Sequence, residues 1–353
     1  MKEKKYFNLY CDIKNKIISG EFAACEKLPS KRVMADMSGC SLITVERAYS
    51  MLSDEGYILP RERSGYFVNK INAFDAIAIP KDSVTLNYLD LPVSSKDKHD
   101  FEYSLWFKTI RKVISEYGEL LFIKSPNKGC AILRNAIADY LYRYRGMIAQ
   151  PEQIIIGSGA EYLYSLVVQM LGRDKIYAIE DPSYEKIRKV YKANGVSCDM
   201  LKMGSDGIKS SALEKTKAGV LHVTPFNSFP SGVTATASKR NEYIRWAKNR
   251  NGYLVEDDFD SEFTVSMKTA DTLFALEPDR TIYMNTFSKT VAPSLRVGYM
   301  VLPESLKQSF EETVGFYACT VPVLDQFILA ELIENGDFER HINRVRRKRR
   351  NNK

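Results

Sequence analysis

The sequence predicts an α/β protein of two unlike parts: a small helical module closed by a hairpin, then a larger domain built on a mainly parallel sheet. Three observations lead there. At ~150 residues per domain, 353 residues suggest about two domains. Residues 1–70 carry three short amphipathic helix patterns followed by two short strand patterns. Beyond residue 100, apolar strand runs alternate with helical stretches, the pattern of a sheet covered on both faces. Hydrophobic residues make up 44% and charged residues 27%, which excludes a disordered chain. No run approaches the ~18 apolar residues of a membrane span. Met1-Lys2-Glu3-Lys4-Lys5 has no apolar stretch behind it, so no signal peptide is expected. The six cysteines (Cys11, Cys25, Cys40, Cys130, Cys198, Cys319) form no C-x-x-C pair, and His99, His222 and His341 are widely spread. That argues against a disulfide framework or a metal site, and it fits a reducing, cytoplasmic setting.

In the first part, Leu9, Ile13 and Ile17 form one apolar helix stripe, with Gly20 as its stop. Ser30 can cap a second helix by accepting a bond from a first-turn N–H. Gly39-Cys40-Ser41 reads as a turn and another cap. Val45, Ala48, Tyr49 and Leu52 then stand at i, i+3, i+4 and i+7, and Glu55-Gly56 ends this third helix. Tyr57-Ile58-Leu59 and Gly65-Tyr66-Phe67-Val68 are short strands around the basic turn Arg61-Glu62-Arg63-Ser64. Three helices and a basic-tipped hairpin make a winged helix-turn-helix. Its second paired helix suits a DNA major groove, and its wing suits phosphates.

These residues resemble the GntR family of bacterial regulators over residues ~6–69. The matching segments are Leu28-Pro29-Ser30-x-Arg32, Ser41-x-x-Thr44-Val45-x-x-Ala48-Tyr49-x-x-Leu52, Glu55-Gly56-Tyr57 and Ser64-Gly65-Tyr66-Phe67-Val68. The resemblance implies that Ser30, Arg32, Ser41, Thr44, Arg47, Ser64 and Gly65 face a double-stranded DNA operator. The family usually has Arg where this chain has Leu42, so a guanidinium contact is lost and operator choice is expected to differ.

Residues 71–100 have weak periodicity and mixed polarity, and read as a linker. Residues 101–353 form the second domain. Its strand candidates are residues 153–156, 175–179, 219–223, 252–255, 280–285 and 297–302, with helices over 161–171, 184–194 and 239–250 between them. Ligands in such sheets bind beyond the carboxyl ends of the strands. There the sequence places Gly157-Ser158-Gly159-Ala160, an anion cradle at a helix start. It also places Tyr184 after Glu180-Asp181-Pro182, Asn227 in a turn-rich loop, the acidic Glu256-Asp257-Asp258, and Thr286-Phe287-Ser288-Lys289 with Arg296 beyond. An anion cradle, a flat-ring partner, a carboxylate, a lysine and an arginine suit pyridoxal 5'-phosphate.

The order and spacing resemble fold-type I aminotransferases. With the winged helix in front, the match is to the MocR/GabR-like subfamily of GntR regulators. The most specific segments are Glu256-Asp257-Asp258-x-Asp260-Ser261-Glu262-Phe263 and Thr286-Phe287-Ser288-Lys289-Thr290-x-Ala292-Pro293-x-Leu295-Arg296-x-Gly298-Tyr299. The resemblance makes Lys289 the Schiff-base lysine. It pairs Asp257 with the ring nitrogen, Asp258 being the alternative, and it stacks Tyr184 on the ring. Arg296, Thr286, Ser288 and the backbone at Ser158, Gly159 and Ala160 would hold the phosphate. Asn227 would reach the ring oxygen. A homodimer and an amine or amino-acid effector are also implied.

Four departures bear on activity. Phe259 replaces the usual tyrosine, and Asn227-Ser228 replaces the usual His-Gln. No tyrosine stands in residues 121–129, where the family reaches the partner subunit's cofactor. The family also continues for a C-terminal small domain of ~100 residues that clamps a substrate carboxylate, and this sequence stops at Lys353. Efficient transamination is therefore not expected. The net charge of +7 is concentrated late: from Arg340 to Lys353 there are eight Lys/Arg and no Asp/Glu. That run reads as a solvated helix end or as a further DNA contact. The leading expectation is a regulator sensing pyridoxal phosphate or an amine. A working aminotransferase with a DNA-binding appendage, and a DNA-binding protein that no longer holds the cofactor, stay open.

Overall fold

The computed structural model describes residues 5–61, 64–69, 100–258, 261–263 and 271–351. The chain divides into two compact units, Met1–Pro92 and Val93–Lys353. The linker expected over residues 71–100, the wing tip Glu62-Arg63, and Phe259 and Asp260 lie outside the described residues, apart from residue 100.

In the first unit, α1 (Lys5–Ile18), α2 (Lys31–Ser38) and α3 (Leu42–Asp54) precede β1 (Ile58–Arg61) and β2 (Gly65–Val68). The two strands pair antiparallel, from Ile58 opposite Val68 to Arg61 opposite Gly65. Both expected caps form. Ser30 Oγ accepts from Val33 N–H and Ser41 Oγ from Thr44 N–H, each at 3.3 Å. Gly39 closes α2 in the left-handed region at φ 61°, which glycine adopts without a Cβ clash. One core joins Leu9, Ile13 and Ile17 of α1, Met34 of α2, the α3 stripe, Ile58 and Val68. Burying each such side chain is worth about 1.5–3 kcal/mol, so the stripes hold the helices together.

The second unit carries a seven-stranded sheet of β3 (Ile154–Gly157), β4 (Ile176–Asp181), β5 (Ser197–Lys202), β6 (Val220–Val223), β7 (Tyr253–Asp257), β8 (Thr281–Thr286) and β9 (Gly298–Val301). Its order is β3-β9-β8-β7-β6-β4-β5. Neighbours from β5 to β8 run parallel, and β9 is antiparallel to both β8 and β3. The mainly parallel sheet expected from the sequence is present. The edge strand β5 was not expected, because its residues are only half-buried and lack a continuous apolar run.

Alternate residues feed opposite faces, as the pleat requires. Ile155, Ile179, Val255 and Met284 pack with the helices Ala160–Leu171 and Glu185–Ala193. Ile154, Ile156, Tyr283 and Tyr299 pack with Ala131–Arg145 and Val323–Glu334 on the other face. The carboxyl ends of β3, β4, β6, β7 and β8 share one edge. Among the described residues, no helix is long and apolar enough to cross a membrane.

Candidate cofactor cleft and nucleic-acid interface

At that shared edge lies a cavity of about 290 Å³. Lys289, Asp257, Tyr184 and Ala160 line it, joined by Tyr164, Ile187, Thr224 and Phe229. Lys289 stands in the turn after β8, Asp257 ends β7, and Ala160 opens the helix after β3. Five separate strand ends thus converge on one space. Phe229 stands against Tyr184, with ring centroids 6.3 Å apart.

Next to the lysine, Thr286 and Phe287 are buried, and Ser288 Oγ is buried with no hydrogen-bond partner. Arg296 reaches back to the start of the Ala160–Leu171 helix. A Cβ built on Gly159 would stand 2.9 Å from Arg296 Nη2. Gly159 has φ 87° and ψ 175°, a region that only glycine occupies readily. Backbone N–H groups at a helix start and a guanidinium beside them make an anion site. Arg296 Nη2 also donates to Glu161 Oε2 at 3.0 Å, and Glu161 Oε1 accepts from Lys186 Nζ at 2.8 Å. Lys186 and Arg296 hold the Glu161 carboxyl below its ordinary range, the lysine hydrogen bond leading. Ser158 keeps its backbone N–H on Thr320 Oγ1 at 3.0 Å.

The two adjacent aspartates part company. Asp257 Oδ2 accepts from the Tyr164 hydroxyl and lies 3.6 Å from His222 Nε2. Its Oδ1 is buried with no hydrogen-bond partner. Asp258 instead accepts from Arg145 Nη2 and from the Tyr283 hydroxyl, both at 2.7 Å. Burial raises the Asp258 pKa while Arg145 opposes the rise. His222 is fixed from behind, its Nδ1 lying 2.7 Å from the Tyr191 hydroxyl. Burial pushes Tyr164 and Tyr191 well above the ordinary phenol range, so both keep their hydroxyl protons.

The loop after β6 is tied down by Glu180. Its carboxyl accepts from Ser228 Oγ at 2.6 Å and from Thr224 N–H at 3.2 Å. Burial pushes the Glu180 pKa up to about 8. Asn227, one residue before Ser228, is exposed at φ 54° and is not among the residues lining the cavity.

In the first unit, the residues expected to face DNA are all at the surface except Thr44, which is half-buried. Ser30, Arg32, Ser41 and Arg47 are exposed on or beside α2 and α3, and Ser64 and Gly65 are exposed in the wing. Arg47 lies over the Tyr6 ring at 4.5 Å, and Arg61 over Phe67 at 4.5 Å.

Comparison with known proteins matches the same two parts. Residues 5–68 match the bacterial regulatory proteins of the gntR family, and residues 106–352 match aminotransferase class I and II. The HTH-type transcriptional regulator YdeL of Bacillus subtilis, itself uncharacterised, is 34% identical over 97% of this chain and 76% of its own length. The HTH-type pyridoxine biosynthesis transcriptional regulator PdxR of Corynebacterium glutamicum is 29% identical over 95% of this chain and 74% of its own. The chain belongs to the MocR/GabR-like subfamily of GntR transcriptional regulators. A solved multiple substrate aminotransferase from Thermococcus profundus shares the fold of the second unit, with a TM-score of 0.65 and 21% identity. The match covers 70% of this chain and 64% of that aminotransferase, so the chain spans less than two thirds of its length.

In this MocR/GabR-like chain, sequence reading did not single out Tyr164, Tyr191, Thr320 or Arg145; it took Phe229 only as part of a loop that resembles the family's, with no role of its own, and it considered His222 only as a metal ligand. Tyr164 and Tyr191 look like core positions on amphipathic helices, and nothing local marks their hydroxyls. His222 sits mid-strand in β6, where a lone histidine carries no motif. The one usable signal was Phe229-Pro230-Ser231-Gly232, a turn whose aromatic residue follows a strand end.

Proposed function

We propose that the chain is a pyridoxal 5'-phosphate-dependent, DNA-binding transcriptional regulator. The reading rests on one observation: Lys289, Asp257 and Tyr184 line a single cavity, with an anion cradle at Gly159 and Arg296 built at the same sheet edge. The orphaned Asp257 Oδ1 and Ser288 Oγ fit a ring nitrogen and a phosphate oxygen. When bound, pyridoxal phosphate supplies an aldehyde that condenses reversibly with primary amines and a ring that accepts electron density. Lys289 provides the amine that anchors it. Asp257 holds a proton on the ring nitrogen, and Tyr164 keeps that carboxylate in place. Tyr184 and Phe229, which meet edge to face at the mouth of the cavity, would flank the ring. Arg296, Thr286, Ser288 and the helix-start backbone at Ala160 would grip the phosphate, whereas the N–H groups of Ser158 and Gly159 are already given to Thr320 Oγ1 and to the Gly157 carbonyl.

An amine or amino-acid effector that competes with Lys289 changes what the cleft holds. By linkage this shifts affinity for a double-stranded operator, read by a homodimer on paired half-sites. The test is a visible spectrum of the full chain after incubation with pyridoxal phosphate and dialysis, beside Lys289→Ala. We expect a retained band in the wild type and none in the variant, and an amine-dependent change in DNA retention. Absence of a band from both proteins would overturn the cofactor assignment. Steady turnover of an amino acid with a keto acid would replace the sensor by an enzyme.

A further inference from the structure

The base-reading end of α3 is apolar. Its buried stripe is Val45, Ala48, Tyr49 and Leu52, so the outward stripe is Ile43, Glu46, Arg47 and Ser50. In a helix-turn-helix the outward, N-terminal part of this helix meets base edges. Here its first turn presents Leu42, 46% exposed, and Ile43, 77% exposed. The polar side chains nearby are already engaged. Glu46 accepts from Lys31 Nζ at 2.6 Å, Thr44 Oγ1 lies 2.8 Å from Ser41 Oγ, and Arg47 rests on Tyr6.

A face so apolar could equally meet a protein. The flanking charge favours DNA. Exposed Arg32 follows the α2 cap, and Lys31 lies 5.6 Å from the Tyr66 ring of the wing. Lys27 Cε lies 3.4 Å from where a Gly65 Cβ would stand, and Arg61 lies over Phe67. Cations around an apolar tip match a groove with phosphate walls and a methyl-bearing floor.

We infer that Leu42 and Ile43 read thymine C5-methyl groups in the major groove, so that the operator half-site carries A·T pairs where α3 enters. This rests on the DNA-binding reading above and adds the base class to it. Apolar contact is how side chains recognise the thymine methyl, the one apolar group on a major-groove base edge.

The test selects duplexes from a random-sequence library with the full chain at fixed salt, then replaces thymine by uracil in the selected duplex. Uracil keeps the base pair and removes only the methyl. Affinity is expected to fall about fourfold for each contacted methyl, the worth of one buried carbon. Ile43→Ala should shrink the thymine-over-uracil preference by about the fourfold of one methyl and leave the part read by Leu42, and Leu42→Arg should shift selection toward guanine. Circular dichroism of Ile43→Ala checks that the fold is intact. Equal affinity of the wild type for thymine and uracil duplexes overturns the inference and leaves the DNA-binding reading standing. Retention of no duplex at all overturns both. If Ile43→Ala alters self-association while duplex affinity stays unchanged, the patch is a protein interface and the inference fails.

Discussion

Gly159 offers the sharpest separation of backbone from side-chain effects in the cleft. Its φ of 87° and ψ of 175° are open to glycine and costly for alanine. Gly159→Ala should therefore destabilise the second unit by about 1–3 kcal/mol. The added Cβ would also fall 2.9 Å from Arg296 Nη2 and 3.1 Å from its Cζ. The guanidinium is the far end of a flexible, half-exposed side chain, so it yields and swings off the cradle. Losing one charge-assisted phosphate bond is worth about 1.5–3 kcal/mol, or about a 10- to 150-fold loss of pyridoxal phosphate affinity. Urea unfolding measures the first term, and titration of apo-protein with cofactor, followed by absorbance, measures the second. Arg296→Ala should reproduce the affinity loss without the backbone cost. Wild-type cofactor affinity in Gly159→Ala would refute the cradle assignment. Unchanged stability would refute the conformational argument.

Other perturbations test separate parts. Burial holds Glu180 at about 8 against an ordinary 4.5, so the folded state binds its proton more tightly than the unfolded chain. That stabilisation is complete below about pH 4.5 and is lost as pH rises through about 8. Glu180→Gln should accordingly gain on the wild type in urea melts from about pH 5 to pH 8, and parallel profiles would contradict the assignment. Arg145→Ala leaves Asp258 buried beside Glu256 and Glu262 without its cation, and should cost about 3–5 kcal/mol in the second unit. Leu52 is fully buried in the small core of the first unit, so Leu52→Ala should cost about 2–5 kcal/mol there. It should abolish DNA retention while the cofactor band at Lys289 persists.

Much of the first unit was legible because its signals are short-range. A serine hydroxyl and an N–H three residues on decide a cap, and Ser30 and Ser41 do this within one turn. The i, i+3, i+4, i+7 spacing at Val45, Ala48, Tyr49 and Leu52 names the buried face before any partner is known. The strand ends of the second unit were legible for the same reason, since small or turn-forming residues follow apolar runs. The helix Val323–Glu334 was not. It is buried nearly all round, and an apolar pattern without a polar face has no period to read.

What the sequence alone determined is the elements of the first unit, the strands whose ends carry the cleft, the residues at the sheet's carboxyl edge and the family. Each depends on neighbours along the chain. Only the tertiary structure shows which of Asp257 and Asp258 lines the cavity. They are adjacent in sequence, and successive residues at a strand end point to opposite sides. One therefore meets the cavity with Tyr164, while the other is taken by Arg145 from 113 residues away. No local pattern encodes which aspartate finds the arginine. Packing of the Ala131–Arg145 helix against the sheet does.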